Sequence, residues 1–245
     1  MKLFLCLLLL SALTGHCQLL SLPQPAPVHT AQLGEVARLG QLFQLPALPT
    51  LRDQRHLRFF RAGNVVDCWQ TPAGNYQGQV VHWAREVVPS KEPGTGREFV
   101  LTQLLTAATV QALFTVLDSC QLLRVPDERA IPGWQRNILD GVSYTLEYQD
   151  AQTHQVATYG NPASQGQLPE AKQVTHFVER LYGLLHMAAL NQLFTNAVPY
   201  EGFTDGSGVS ALRVTSYAQH LAYKRERQRY LRQQKQRSTH PSPTP

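Results

Sequence analysis

The chain has 245 residues, of which 43% are hydrophobic and 16% are charged, and its formal net charge is +5. This composition is typical of a globular protein with a core. Seven basic residues and one acid lie between Lys224 and Arg237, so this tail carries +6, while the body before it, without the N-terminal segment, is slightly acidic. A basic groove on the body, which a nucleic-acid-binding protein would need, is therefore not expected.

The N-terminal segment has the pattern of an export signal. Lys2 supplies the positive charge, residues 3–13 form an apolar run too short to span a bilayer, and cleavage is predicted before Gln18. Lipid attachment at Cys17 is an alternative, although His16 stands where a small residue is usual. No second segment has the ~20 apolar residues of a transmembrane helix. The sequence thus predicts an exported protein, periplasmic or extracellular, that does not span the membrane.

Removal of the signal peptide leaves two cysteines, Cys68 and Cys120. In an oxidising compartment the two could form a disulfide, and a loop of about 50 residues would then stabilise the fold by ~4 kcal/mol. The alternative is a pair of buried free thiols. Neither cysteine lies in a nucleophile motif, so catalysis by a thiol is not predicted.

Residues 18–50 form a Pro-rich leader, in which a short helix is predicted from Thr30 to Phe43. This leader is interpreted as a tether, with docking on the domain as the alternative. Four extended segments follow, separated by turn-rich loops, and this order predicts an antiparallel meander. The segments are residues 56–61, 65–71, 77–88 and 97–104.

The second half of the domain adds helices and a hairpin. Thr106 is predicted to cap a helix with an apolar stripe, residues 142–149 and 154–160 alternate as a β-hairpin, and Pro169 opens a second helix that can reach Leu193. Residues 51–195 are therefore predicted to form one α+β domain, with two helices packed on one face of an antiparallel sheet. Residues 196–245 are predicted to be a loop followed by a basic C-terminal helix and tail.

Residues 55–187 resemble an uncharacterised bacterial domain family found in exported proteins and lipoproteins. The resemblance rests on a helix exit at residues 122–126 (LLRVP), an Asp-Gly-x-x-aromatic-x-Leu-Glu strand at residues 140–147 (DGVSYTLE) and a strand exit at residues 159–162 (YGNP). Tyr144 stands where the family usually has Trp. The resemblance implies the fold class and the compartment, and it implies no activity and no cofactor.

One face of the predicted sheet is expected to be free of helices, so a non-enzymatic binding or interaction module is the favoured interpretation. The polar and aromatic side chains assigned to that face as contacts are Tyr76, His82, Thr145 and Glu147. The alternative is a hydrolase of envelope or extracellular polymers, in which Asp140 would act with His82 or His154. Histidine and cysteine spacings typical of zinc sites do not occur, so no metal or other cofactor is predicted.

The basic tail is the second candidate for contact with a partner. A basic helix can lie on an anionic surface, and the apolar content of this one is too low for insertion into a bilayer. The predicted partner is an anionic envelope surface or another envelope protein, and the alternative is a solvated basic tail that contacts no partner. The residues assigned to the contact are Lys224, Arg225, Arg227, Arg229, Arg232, Lys235 and Arg237.

Overall fold

The computed structural model describes residues 30–48, 54–87, 96–136, 141–206, 210–213 and 215–239. The predicted signal peptide, with Cys17, lies outside the described residues, as does Asp140. The described part has the α+β architecture expected from the sequence, with five α-helices and a single antiparallel sheet of eight strands.

The first four strands form the predicted meander. Each strand pairs with the next, and the turn between the first two contains Gly63 at φ 79°. A Cβ at Gly63 would lie 2.6 Å from the Cβ of Asp205, so this position needs glycine both for its backbone angle and for the close approach. The strands are β1 (Arg55–Arg61), β2 (Asn64–Gln70), β3 (Tyr76–Glu86) and β4 (Glu98–Leu104).

The predicted hairpin joins the sheet at the opposite edge. It consists of β5 (Ser143–Asp150) and β6 (His154–Gly160), and β5 pairs with β1 over seven residues. Two short strands, β7 (Gly202–Thr204) and β8 (Ser210–Leu212), extend the far end of β3, where β7 pairs with Arg85 and Glu86. Part of the segment predicted as a loop therefore belongs to the sheet.

The helices are α1 (Thr30–Leu42), α2 (Ala107–Ser119), α3 (Pro169–Leu185), α4 (Met187–Ala197) and α5 (Tyr217–Thr239). Thr106 caps α2 as predicted, because its hydroxyl oxygen accepts from the amide of Thr109 at 3.2 Å. The single helix predicted from Pro169 is divided into α3 and α4 by His186, whose φ of 49° interrupts the helix.

The main core lies where α2 and α3 cover one face of the sheet, as predicted. Cys68 and Cys120 are both buried in this core and both are free thiols, so the alternative of two unbridged cysteines holds and the disulfide is not formed. Gly78 makes room for the first of them, since a Cβ there would lie 2.7 Å from the Cys68 sulfur.

The other face of the sheet is not free, contrary to the prediction. Helix α1 lies against it, and Val36 and Phe43 pack with Phe60, Val81 and Trp83 in a second core. The leader helix is therefore docked on the domain rather than serving only as a tether. Among the described residues, no helix combines the length and the hydrophobicity needed to cross a bilayer.

Candidate functional site: a basic helix anchored on the sheet

The four predicted contact residues do not form one surface. Strand register places Tyr76 and His82 on the face covered by α2, α3 and α4, and it places Thr145 and Glu147 on the face covered by α1. His82, Thr145 and Glu147 are buried, and Tyr76 is half-buried against Phe114, with ring centroids 6.0 Å apart. The assignment of these residues to an open binding face is therefore wrong.

Glu147 belongs to a buried polar network that crosses the α1 face. Arg58 donates from Nε to Asp67 Oδ1 at 2.9 Å, and its Nη1 lies 3.7 Å from Glu147 Oε2. His56 donates to the same oxygen of Asp67 at 2.7 Å, and His154 lies 3.1 Å from Glu147 Oε1. Each carboxylate thus has a basic partner on a neighbouring strand.

His82 is isolated from that network on the opposite face. Its ring stacks on Phe194 at 5.0 Å, and its Nε2 donates to Asn191 Oδ1 at 2.9 Å. Burial lowers the pKa of His82, which favours the neutral imidazole. His82 and His154 lie on different faces of the sheet, and Asp140, their partner in the hydrolase alternative, lies outside the described residues.

Helix α5 is anchored to the sheet by the buried carboxylate of Glu86. Arg97 donates from Nε and Nη2 to the two oxygens of Glu86, each at 3.0 Å, and Tyr223 donates its hydroxyl to the same group. Arg227 is the third partner of this carboxylate, with its Nη1 2.8 Å from Glu86 Oε2. Arg227 is only 8% exposed, so its predicted role as a contact to an anionic surface is wrong.

The guanidinium of Arg97 also lies against three tyrosine rings contributed by α5 and the segment before β7. Its central carbon is 4.9 Å from the ring centroid of Tyr200 and 5.7 Å from those of Tyr223 and Tyr230. Its Nη1 donates to Glu226 at 2.8 Å. The one acidic residue of the tail is therefore already paired with the domain.

The outer face of α5 carries cations. At ~100° per residue, Arg225, Arg229 and Arg232 lie within roughly 60° of one another and point away from the anchoring Tyr223 and Arg227. All three arginines are exposed, and none has a hydrogen-bond or ion-pair partner in the part of the chain that the structure describes. Lys224 and Lys235 are exposed beside this stripe, while the side chain of Arg237 lies outside the described residues.

The basic C-terminal helix was predicted from the sequence, but its attachment to the sheet through Glu86 was not. The pattern that could have revealed it is the spacing of Tyr223, Arg227 and Tyr230, which share one face of a helix at i, i+4 and i+7. No sequence pattern marks Glu86 as the residue that binds α5, because a single acid at the end of a long strand is usually solvated.

Within the described residues, no group of three or more His, Cys, Asp and Glu side chains is placed to hold a metal ion. No protein-family model matches the chain, and comparison with curated proteins gives no significant sequence similarity.

Proposed function

We propose that this protein is an interaction module of the bacterial cell envelope, and that it attaches through the outer face of α5 to a surface of closely spaced phosphate or carboxylate groups. The main observation in support is that one face of α5 is held against the sheet, so that the opposite face is exposed. Glu86 holds Arg227 and Tyr223 against the sheet, and Arg225, Arg229 and Arg232 are left exposed in one stripe.

Physical reasons favour adsorption to a surface over insertion into it. The stripe consists of arginines, whose planar guanidinium groups bind phosphate and carboxylate with two parallel hydrogen bonds. The side chains on the outer face of α5 are polar, so attraction to the surface is electrostatic and is screened by salt. The signal-like segment of residues 1–17 and the family resemblance support a position outside the cytoplasm.

The test uses the mature chain from Gln18 with Arg225, Arg229 and Arg232 all replaced by Gln. Binding is measured to phosphatidylcholine vesicles with and without phosphatidylglycerol, and separately to soluble polyphosphate, at low and high salt. A cation near an anionic surface contributes about 1 kcal/mol, so the triple variant should bind roughly one hundred times more weakly. Binding to vesicles alone would identify a lipid surface, and binding to polyphosphate alone would identify a polymer.

The matched control replaces Arg124, Arg136 and Lys172 by Gln, which changes the net charge equally but leaves α5 intact. All three residues are exposed. The proposal predicts that this control binds like the wild type. Equal weakening in both triple variants, or no binding by the wild type to either probe, would overturn it. A truncation after Tyr223 is a poorer test, because it also removes Arg227 and thus the anchor.

A further inference from the structure

Strand β4 pairs with β3 on one side only, so its other side is an edge of the sheet. At one end of this pairing, the amide of Glu86 donates to the Arg97 carbonyl at 2.8 Å. At the other end, the amide of Leu105 donates to the Gly78 carbonyl at 2.9 Å. Because inward and outward backbone groups alternate along an antiparallel strand, these two bonds fix which residues of β4 point their N–H and C=O groups away from β3. They are Glu98, Val100, Thr102 and Leu104.

Most of these outward groups are unpaired. The Glu98 carbonyl accepts from the Tyr200 hydroxyl at 2.9 Å. The outward groups of Val100, Thr102 and Leu104 have no hydrogen-bond partner in the part of the chain that the structure describes. A row of unpaired backbone donors and acceptors on a sheet edge is a template for pairing with another strand.

The opposite edge of the sheet, β6, is protected against such pairing. The outward amide of Thr158 donates to Asp127 Oδ2 at 2.8 Å, and that of Gly160 donates to the carboxylate of Glu128. The Gly160 carbonyl accepts from the indole of Trp134 at 3.0 Å. The edge strand β8 has only three residues, which also limits pairing. Strand β4 is therefore the long edge that the described residues leave available.

The side chains of β4 allow two identical edges to meet. No charged residue occurs from Phe99 to Thr109, so two copies approach without like charges facing each other. An antiparallel pairing in which Thr102 faces Thr102 of a second copy places Val100 opposite Leu104. Leu104 is 84% exposed, so this pairing covers an apolar side chain that a single copy leaves in water.

We propose that β4 pairs with β4 of a second copy, and that the protein is a two-fold symmetric dimer with one sheet continuous through both copies. Thr102 lies on the two-fold axis, and each facing pair of residues from Val100 to Leu104 exchanges two hydrogen bonds. The pairing ends at Glu98, because the Glu98 carbonyl is already bonded to Tyr200. The ladder is short, so the dimer is weak and depends on protein concentration. It does not involve α5 and is independent of the function proposed above.

The experiment compares the mature chain from Gln18 with Thr102→Lys and Thr102→Glu, by sedimentation velocity from about 1 µM to about 500 µM. Thr102 is exposed, so both changes are compatible with the fold. The wild type should shift from monomer to dimer as concentration rises. Each variant alone should remain monomeric, because two like charges face each other across the axis. An equimolar mixture of the two variants should form the dimer again, because Lys then faces Glu.

Thr115→Lys, on the exposed side of α2, is the matched control and should dimerise like the wild type. A second pair of variants tests the backbone itself. Thr102→Pro removes the outward N–H, which the pairing with β3 does not use, and should raise the Kd of the dimer roughly thirtyfold, as expected for the loss of one hydrogen bond from each copy. Thr102→Val keeps this N–H and should dimerise like the wild type.

A wild type that stays monomeric at the highest concentration would overturn the proposal. A mixture of the Lys and Glu variants that stays monomeric would also overturn it, because residue 102 would then not face its own copy. Equal weakening by Thr115→Lys would show a general effect of charge instead of an interface at β4. Loss of the dimer in the α5 triple variant would place the interface on α5 and would likewise reject pairing through β4.

Discussion

Glu86 connects three parts of the molecule through one carboxylate. Glu86 is the last residue of β3. Its carboxylate accepts hydrogen bonds from Arg97, which precedes β4, and from Tyr223 of α5, and it forms an ion pair with Arg227 of α5. Burial by itself would raise the pKa of Glu86, but the hydrogen bonds from Arg97 and Tyr223 outweigh it and hold the pKa below its usual value. The carboxylate is therefore charged in the folded protein, and both arginines depend on it.

Glu86→Gln should be strongly destabilising, because the amide removes the buried negative charge with which the nearly buried guanidinium groups of Arg97 and Arg227 both pair. Loss of one partner of a buried ion pair costs about 3–5 kcal/mol. Urea denaturation should show this loss in the free energy of unfolding, and hydrogen exchange should show faster exchange in α5. Glu98→Gln is the control, since the exposed Arg85–Glu98 pair contributes about 1 kcal/mol or less. Similar losses in both variants would show that Glu86 is not the anchor of α5.

The pattern of single residues also explains why Glu147 was wrongly assigned to an open face of the sheet. His56, Arg58, Asp67 and Glu147 alternate with apolar residues, a pattern that usually indicates a solvated face. Strand parity is enough to place the side chains of Arg58 and Phe59 on opposite faces of the sheet. It could not show that Arg58 would meet Asp67 and Glu147 on the neighbouring strands, since that contact depends on pairings between segments up to 89 residues apart.

At the scale of elements, local patterns predicted the strands, the capped helix α2 and the hairpin, because each depends on neighbouring residues. The break between α3 and α4 has no such pattern, since His186 adopts a conformation that usually favours Gly or Asn. The docking of α1 was equally hidden. Its apolar stripe was visible in the sequence, but the surface that receives it is formed by residues of four strands, β1, β2, β3 and β6.

Phe43→Ala tests the contribution of α1 to the fold. Phe43 is 2% exposed, and its ring centroid lies 6.1 Å from that of Phe60 on the sheet. Removing a buried aromatic side chain leaves a cavity and typically costs about 3–5 kcal/mol, which urea denaturation can measure. Leu33→Ala in α1, the helix that ends directly before Phe43, removes a side chain that is 41% exposed and should change stability by roughly 0.5 kcal/mol or less. If Phe43→Ala is as mild as Leu33→Ala, α1 does not stabilise the domain.

At the scale of the whole molecule, the sheet is covered on both faces, and α5 is anchored at one end of it through Glu86. Helices α2 and α3 enclose the main core, and α1 encloses the smaller one. The net positive charge is concentrated in α5, while the covered sheet keeps its own charges paired inside. Buried ionisable groups on both faces therefore make the stability of the whole fold depend on pH.

Two kinds of buried group should make stability fall in two steps on acidification. Burial lowers the pKa of His82, so the unfolded chain takes up this proton first, and stability is lost as pH falls from about 6.5 towards the lower folded pKa. For Asp67, burial alone would raise the pKa, but the hydrogen bond from His56 and the charge of Arg58 hold it low. The pKa of Glu86 is lowered as well, so these carboxylates stabilise the fold above about pH 4 and lose their effect below it.

Urea denaturation from pH 8 to pH 3 measures both steps. His82→Gln should remove the upper step, whose slope is at most about 1.4 kcal/mol per pH unit for one proton, and should leave the lower step in place. His176→Gln, on the exposed side of α3, should leave both steps unchanged. An undiminished decline between pH 7 and pH 5 in the His82→Gln variant would assign the upper step to another group. Loss of both steps in that variant would mean that the two faces of the sheet do not contribute independently.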